Sequence, residues 1–166
     1  RFSTQLSDGR TVFVKAGGAG RPSRRGRLFN ELEREEVCLE VLEGLAVPSM
    51  VRLPARTVLG VLGGTKARAM AESWVDGGAL DQAGFAPLEL LGAWAFIAEQ
   101  LVAFRRRGIL YTDIKCRNVI ASRAPLAVTL IDFNLATCVE AKGLYRASRF
   151  GYTRGFEAPE HRRAPV

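Results

Sequence analysis

The sequence predicts an α+β fold with a cleft between two parts, and three observations predict it. An Asp8-Gly9 signal lies between residues 2–6 and 11–15, which read as the two strands of a hairpin. A long helical pattern follows mid-chain, from Pro87 to Gly108. Short apolar runs then return around Val119–Ile120 and Val128–Ile131, as a second hairpin. Strands, one helix, strands and then a helical half make α+β more apt than an alternating α/β order.

The elements follow in order. Residues 17–27 form a Gly/Arg loop, and residues 28–43 read as a helix with Leu32, Leu39 and Leu42 near one face. Gly44 and Pro48 end it. Residues 57–62 and 67–72 look like strands joined across Gly63-Gly64, and residues 76–86 read as loop. Pro87 suits a first helical position and Gly108 a C-terminal cap. Between them Leu90, Trp94, Ile97, Leu101 and Phe104 recur at helical spacing, so the whole stripe is expected in the core.

The chain has 166 residues, 48% hydrophobic and 25% charged, as in an ordinary soluble globular protein. Residues 90–104 are the most apolar stretch, but Glu99 and Gln100 interrupt it and it is short for a bilayer, so no membrane partner is expected. Cys38, Cys116 and Cys138 have no paired spacing; an odd count favours reduced thiols in an intracellular, cytoplasmic protein. The net charge is +7, spread over separated runs (Arg21–Arg27, Arg105–Arg107, Arg162–Arg163). No stacking aromatics interleave with them, so they read as solvated segments and not as a nucleic-acid surface. A single His161 excludes a multi-histidine zinc site and leaves a Ser-His-Asp hydrolase without a nucleophile elbow.

The chemistry concentrates in residues 111–120, YTDIKCRNVI, and in IDFN at 131–134. Asp113 can orient a hydroxyl and accept its proton, and Lys115 can neutralise charge on a moving phosphoryl group. Asn118 and Asp132 offer hard oxygen ligands that suit Mg bound partly through phosphates. This grouping resembles the catalytic and metal-binding loops of the protein kinase family, H-R-D-L-x-x-x-N and D-F-G. Val12-Phe13-Val14-Lys15 resembles the V-A-I-K strand, whose lysine holds the α- and β-phosphates of ATP. Glu35 is its expected partner, with Glu31 and Glu36 as neighbouring alternatives. Thr153-Arg154-Gly155-Phe156-Glu157-Ala158-Pro159-Glu160 resembles the segment ending in A-P-E. There Thr153 matches the threonine that bonds the catalytic Asp and Lys.

The resemblance implies a two-lobed fold: a small sheet lobe with one helix over residues 1–75, and an incomplete, mainly helical lobe over residues 76–166. It implies ATP and Mg as cofactors and a protein serine or threonine as acceptor. Besides Lys15 and Glu35, it places Ala71, Glu72, Trp74 and Ile120 at the nucleotide. The sequence departs from the family at several points. No Gly-rich loop precedes Lys15, and the chain stops six residues after Glu160, so it reads as a fragment with little activity of its own. Tyr111-Thr112 replaces His-Arg, removing the usual receiver of an activation-loop phosphate. Asn134 replaces the glycine of D-F-G, whose positive φ Asn tolerates better than most residues, so a stiffer loop with metal binding kept is expected. Phe13 replaces a small alanine and points into the cleft with Lys15, with Ala71 expected to compensate. Two further readings follow: a non-catalytic kinase-like interaction module, favoured by Phe13, and a small-molecule phosphotransferase of related fold, disfavoured by Ala158-Pro159-Glu160.

Overall fold

The Asp8-Gly9 turn works as its residues require. Gly9 adopts φ +84°, and the Asp8 carboxylate accepts from the backbone N–H and the Nε of Arg10. The turn joins β1 (Phe2–Gln5) to β2 (Thr11–Gly18), with Phe2 opposite Val14 and Gln5 opposite Thr11. The computed structural model describes residues 2–18, 31–51 and 67–138. The expected strand at 57–62, the A-P-E segment with Thr153, His161 and the Arg21–Arg27 and Arg162–Arg163 runs lie outside the described residues.

The first sheet has the order β1-β2-β4-β3, all antiparallel, with β3 at Met50–Val51 and β4 at Ala67–Ser73. Strand alternation gives it two unlike faces. Val12, Val14 and Ala71 form a small apolar cluster on one. Phe13, Lys15, Met70 and Glu72 share the other, with Phe13 opposite Glu72 and Lys15 opposite Met70.

Helix α1 (Glu31–Val41) packs near that second face. Its sequence is acidic, yet Leu32, Glu35 and Leu39 recur at three- and four-residue spacing and are buried together with Cys38. Glu35 therefore points inward because it sits in the apolar stripe. Past the helix, Gly44 takes φ +84°. The Arg107 guanidinium donates from Nη1 to the Val41 and Glu43 carbonyls, which have no partner within the helix.

Helix α2 (Pro87–Arg106) begins with proline in its first turn and a Glu89 carboxylate accepting from the Ala86 N–H. It ends before Gly108, at φ +76°. Its stripe is narrower than the sequence suggests. Ala93, Ile97 and Phe104 are buried and Leu101 packs against them. Leu90 and Trp94, expected in the core, are 36% and 39% exposed. The described structure covers one narrow face of the helix, because strands β6 (Ile109–Leu110) and β8 (Leu126–Leu130) are its main described neighbours. Gln100, read from sequence as an interruption, donates from Nε2 to the Val128 carbonyl at 2.7 Å and ties α2 to β8. At 20 residues, α2 is also longer than the apolar run suggests, and by length and composition alone it matches a membrane-crossing helix. Its Ile97 and Phe104 nevertheless lie in the core with β-strand residues.

Two small sheets complete the fold. β5 (Gly78–Ala79), β7 (Val119–Arg123) and β8 (Leu126–Leu130) form one, in the order β5-β7-β8. Residues 76–86 are thus not all loop. Gly77 allows the approach: it has φ +132°, and a Cβ there would sit 2.5 Å from the Ala121 carbonyl oxygen. β6 (Ile109–Leu110) pairs with β9 (Thr137–Cys138) to form the other. The molecule is mixed α+β, with small antiparallel sheets and two helices among the described residues.

The aromatic core joins these parts. Phe104, Tyr111 and Phe133 pack edge-on, with centroids 5.5 Å (Phe104–Phe133) and 5.0 Å (Tyr111–Phe133) apart. Phe104→Ala should cost about 3–5 kcal/mol, whereas Leu91→Ala, on the exposed face of α2, should stay within about 0.5 kcal/mol. Urea unfolding of both variants measures the contrast, and equal losses would contradict this assignment of the core face.

Candidate active site

The β6–β9 pair brackets the chemistry-bearing segments. Leu110 leads directly into residues 111–118, and residues 131–136 lead into Thr137 opposite it. The Ile131 N–H donates to the Asn118 carbonyl at 2.9 Å, so the two loops lie side by side. Tyr111 stands at their junction and its hydroxyl donates to the Ile131 carbonyl at 2.6 Å. Burial pushes its phenol far above the ordinary range, so it remains a proton donor. Thr112 donates from Oγ1 to the Leu135 carbonyl at 3.2 Å. The Tyr111-Thr112 pair thus binds one loop to the other.

Within the first loop, Asp113 is 2% exposed and Asn118 4% exposed. Asp113 Oδ2 accepts from Lys115 Nζ at 2.6 Å and from Asn118 Nδ2 at 2.8 Å. Asn118 Nδ2 also reaches the Asp113 carbonyl at 3.0 Å. A 3₁₀ turn at Cys116–Asn118 curls the chain back and makes this short-range pairing possible.

In the second loop Asp132 has φ +63° and ψ +73°, the left-handed conformation that costs a non-glycine residue about 1–3 kcal/mol. Aspartate tolerates it better than most residues. This corrects the expectation for Asn134: residues 133–135 form a 3₁₀ turn, and the positive φ belongs to Asp132, two positions earlier.

Lys15 connects the loops to the first sheet. Its ammonium lies 2.6 Å from Glu35 Oε1, 2.5 Å from Glu72 Oε1 and 3.9 Å from Asp132 Oδ1. Lys15, Glu35 and Glu72 are all buried. Glu35 Oε1 also accepts the Phe133 backbone N–H at 2.7 Å, so one carboxylate oxygen joins α1, β2 and the 131–134 loop. Burial alone would lower the Lys15 pKa, but Glu72 and Glu35 outweigh it and hold the ammonium above its ordinary value. Burial pushes the Glu35 carboxyl up to about 7; Lys15 opposes that shift, while Glu72 and Asp132 add to it. The two shifts agree physically: several carboxylates share one cation, which stays charged while Glu35 holds its proton more readily.

A cleft of about 460 Å³ opens beside this cluster, within the size range of small-molecule sites. Lys15, Glu72, Trp74, Asn118, Ile120 and Asp132 line it, as does Lys115. Phe13 forms part of its wall, with its ring centroid 5.9 Å from Lys15 Nζ. The ring narrows the cleft and leaves it open. Asp113 and Glu35 are not lining residues; each is held by residues that are. Ala71 does not belong to the cleft. It lies on the opposite face of the sheet, buried against Val12 and Val14, and cannot make room for Phe13. Strand alternation is the reason: Ala71 pairs with Val14, not with Phe13.

Three contacts escaped the sequence: Glu72 on Lys15, the Phe133 N–H on Glu35, and the Tyr111 hydroxyl on Ile131. The signal for the first was that Met70 and Glu72, two apart on one strand, share a face. The register that sets Glu72 opposite Phe13 depends on tertiary pairing. No protein-family model matches the chain, and no curated protein matches it.

The raised Glu35 pKa has a consequence for stability. The folded value of about 7 exceeds the ordinary 4.5, so the folded state binds the proton more tightly between those values. That contribution is fully present below pH 4.5 and is lost as pH rises through about 7. Glu35→Gln should flatten this part of the pH profile, read from urea midpoints between pH 5 and 8. An unchanged slope would assign the dependence to other groups.

Proposed function

We propose that the chain is a protein kinase-like phosphotransferase domain of two lobes, moving the γ-phosphoryl group of ATP to protein serine or threonine hydroxyls. The observation that carries this reading is the buried Lys15–Glu35 pair, bridging a strand and a helix 20 residues apart. A Lys–Glu pair of this kind, together with a metal-binding Asp, is required in protein kinases. Here the same Glu35 oxygen holds the N–H of Phe133, directly after Asp132.

On this reading Lys15 meets the α- and β-phosphates, while Phe13, Trp74 and Ile120 flank the base. Asp113 orients the acceptor hydroxyl and takes its proton, held by Lys115 and Asn118. Lys115 then balances charge on the transferred group. Asn118 and Asp132 would hold Mg, which supplies charge neutralisation of the phosphates when bound. The donor set fits that role. Among the described residues no three His, Cys, Asp or Glu side chains form a metal cage, and Mg is commonly held by one or two protein oxygens plus phosphates and water.

A second reading, a non-catalytic kinase-like module, is favoured by Phe13 in the cleft wall and by the two carboxylates already on Lys15. Two measurements separate them. Mg·ATP at a hundredfold excess over Kd should stabilise the fold by about 2.7 kcal/mol in a thermal shift; no shift favours the module. Labelled phosphate incorporation by the full-length gene product into a protein acceptor should fall on the order of 10²–10⁴-fold in Asp113→Ala, the usual worth of a positioned base. Activity that survives the change would remove Asp113 from its role.

A further inference from the structure

Lys15 has more acidic partners than a phosphate anchor needs. Glu35 holds it from the helix side, buried and away from the cleft. Glu72 approaches just as closely from β4 and lines the cleft, where an incoming phosphate would have to lie. Asp132 adds a third carboxylate at 3.9 Å. Two further cations line the cleft, so the Glu72 charge acts locally at Lys15 and not on the cleft as a whole. Lys115 is engaged by Asp113, and Arg117 is exposed on the cleft lining. A polyphosphate that reaches Lys15 therefore lies beside the Glu72 carboxylate, in a buried setting where like charges repel strongly.

We propose that Glu72 competes with nucleotide phosphates for Lys15 and thereby excludes nucleotides that arrive without a divalent cation. This rests on the phosphotransferase reading and adds to it a selectivity residue on β4. A bare polyphosphate can take Lys15 only by leaving the Glu72 carboxylate beside its own charge. A cation-complexed nucleotide carries less negative charge and can share the lysine with Glu72. Glu72 acts on binding and touches no reacting atom, so it is a selectivity residue and not a catalytic one.

The experiment compares binding of ATP in EDTA with binding of Mg·ATP by calorimetry, using the unaltered chain, Glu72→Gln and Glu72→Ala. Removing the charge should tighten metal-free ATP binding by at least about tenfold, the least expected of one unit charge at close range in a buried site. Affinity for Mg·ATP should change much less. A merely structural role for Glu72 would move both affinities together, and that outcome overturns the proposal. So does an unaltered chain that binds metal-free ATP within threefold of Mg·ATP, a result that needs no variant to fold. If the unaltered chain binds Mg·ATP but neither variant gains selectively for the metal-free form, the Glu72 proposal alone fails. If no form binds nucleotide, the phosphotransferase reading fails with it.

Discussion

One buried ammonium organises the described structure. Lys15 draws Glu35 from α1 and Glu72 from β4, with Asp132 close by, and through Glu35 it reaches the backbone of Phe133. Charged groups rarely enter an interior unless paired, because the desolvation cost is large. A lysine that cannot remain buried alone forces several elements to converge on it. The first sheet, helix α1 and the 131–134 loop are thereby placed around one point. The cluster is a poor source of net stability, since paired buried charges roughly offset their own desolvation. Its effect is on geometry: removing Lys15 would take from Glu35 and Glu72 the cation they share.

The apolar core supports that arrangement from the other side. Phe133 is fully buried between Phe104 and Tyr111, while its N–H is bound to Glu35. The residue after Asp132 is thus fixed by side-chain packing and by a backbone hydrogen bond. This explains how Asp132 persists in a left-handed conformation that other residues would leave. The Tyr111 hydroxyl fixes the neighbouring carbonyl at Ile131. The loop that carries Asp132 is consequently shaped by an aromatic, a tyrosine hydroxyl and a glutamate from three separate parts of the chain.

Helix α2 shows the opposite balance. Its buried edge is tied to β8 by Gln100 and to the aromatic core by Phe104. Leu88, Leu91, Phe96 and Val102 face outward. A helical pattern reports which residues are apolar, but not which neighbours are present to cover them. Leu90 and Trp94 were legible as part of a helix and not as exposed. Their position depends on how much of the α2 circumference the β6 and β8 strands reach.

The local features were legible in the chain itself. The Asp8-Gly9 hairpin, the Pro87 start and Gly108 end of α2, and the β7–β8 hairpin follow from short-range rules of turn chemistry and periodicity. So does the inward position of Glu35, because it shares helical spacing with Leu32 and Leu39. The grouping of Asp113, Lys115 and Asn118 was also readable, since a single 3₁₀ turn closes it. Other features needed the folded chain. Strand register put Ala71 on the far face and Glu72 on Lys15, and one-residue shifts in register exchange those faces. The left-handed Asp132 came from packing around Phe133, which overrode the expectation drawn from Asn134. Chemistry confined to one turn is written in sequence order, whereas contacts between strands paired across tens of residues exist only once the sheet has formed.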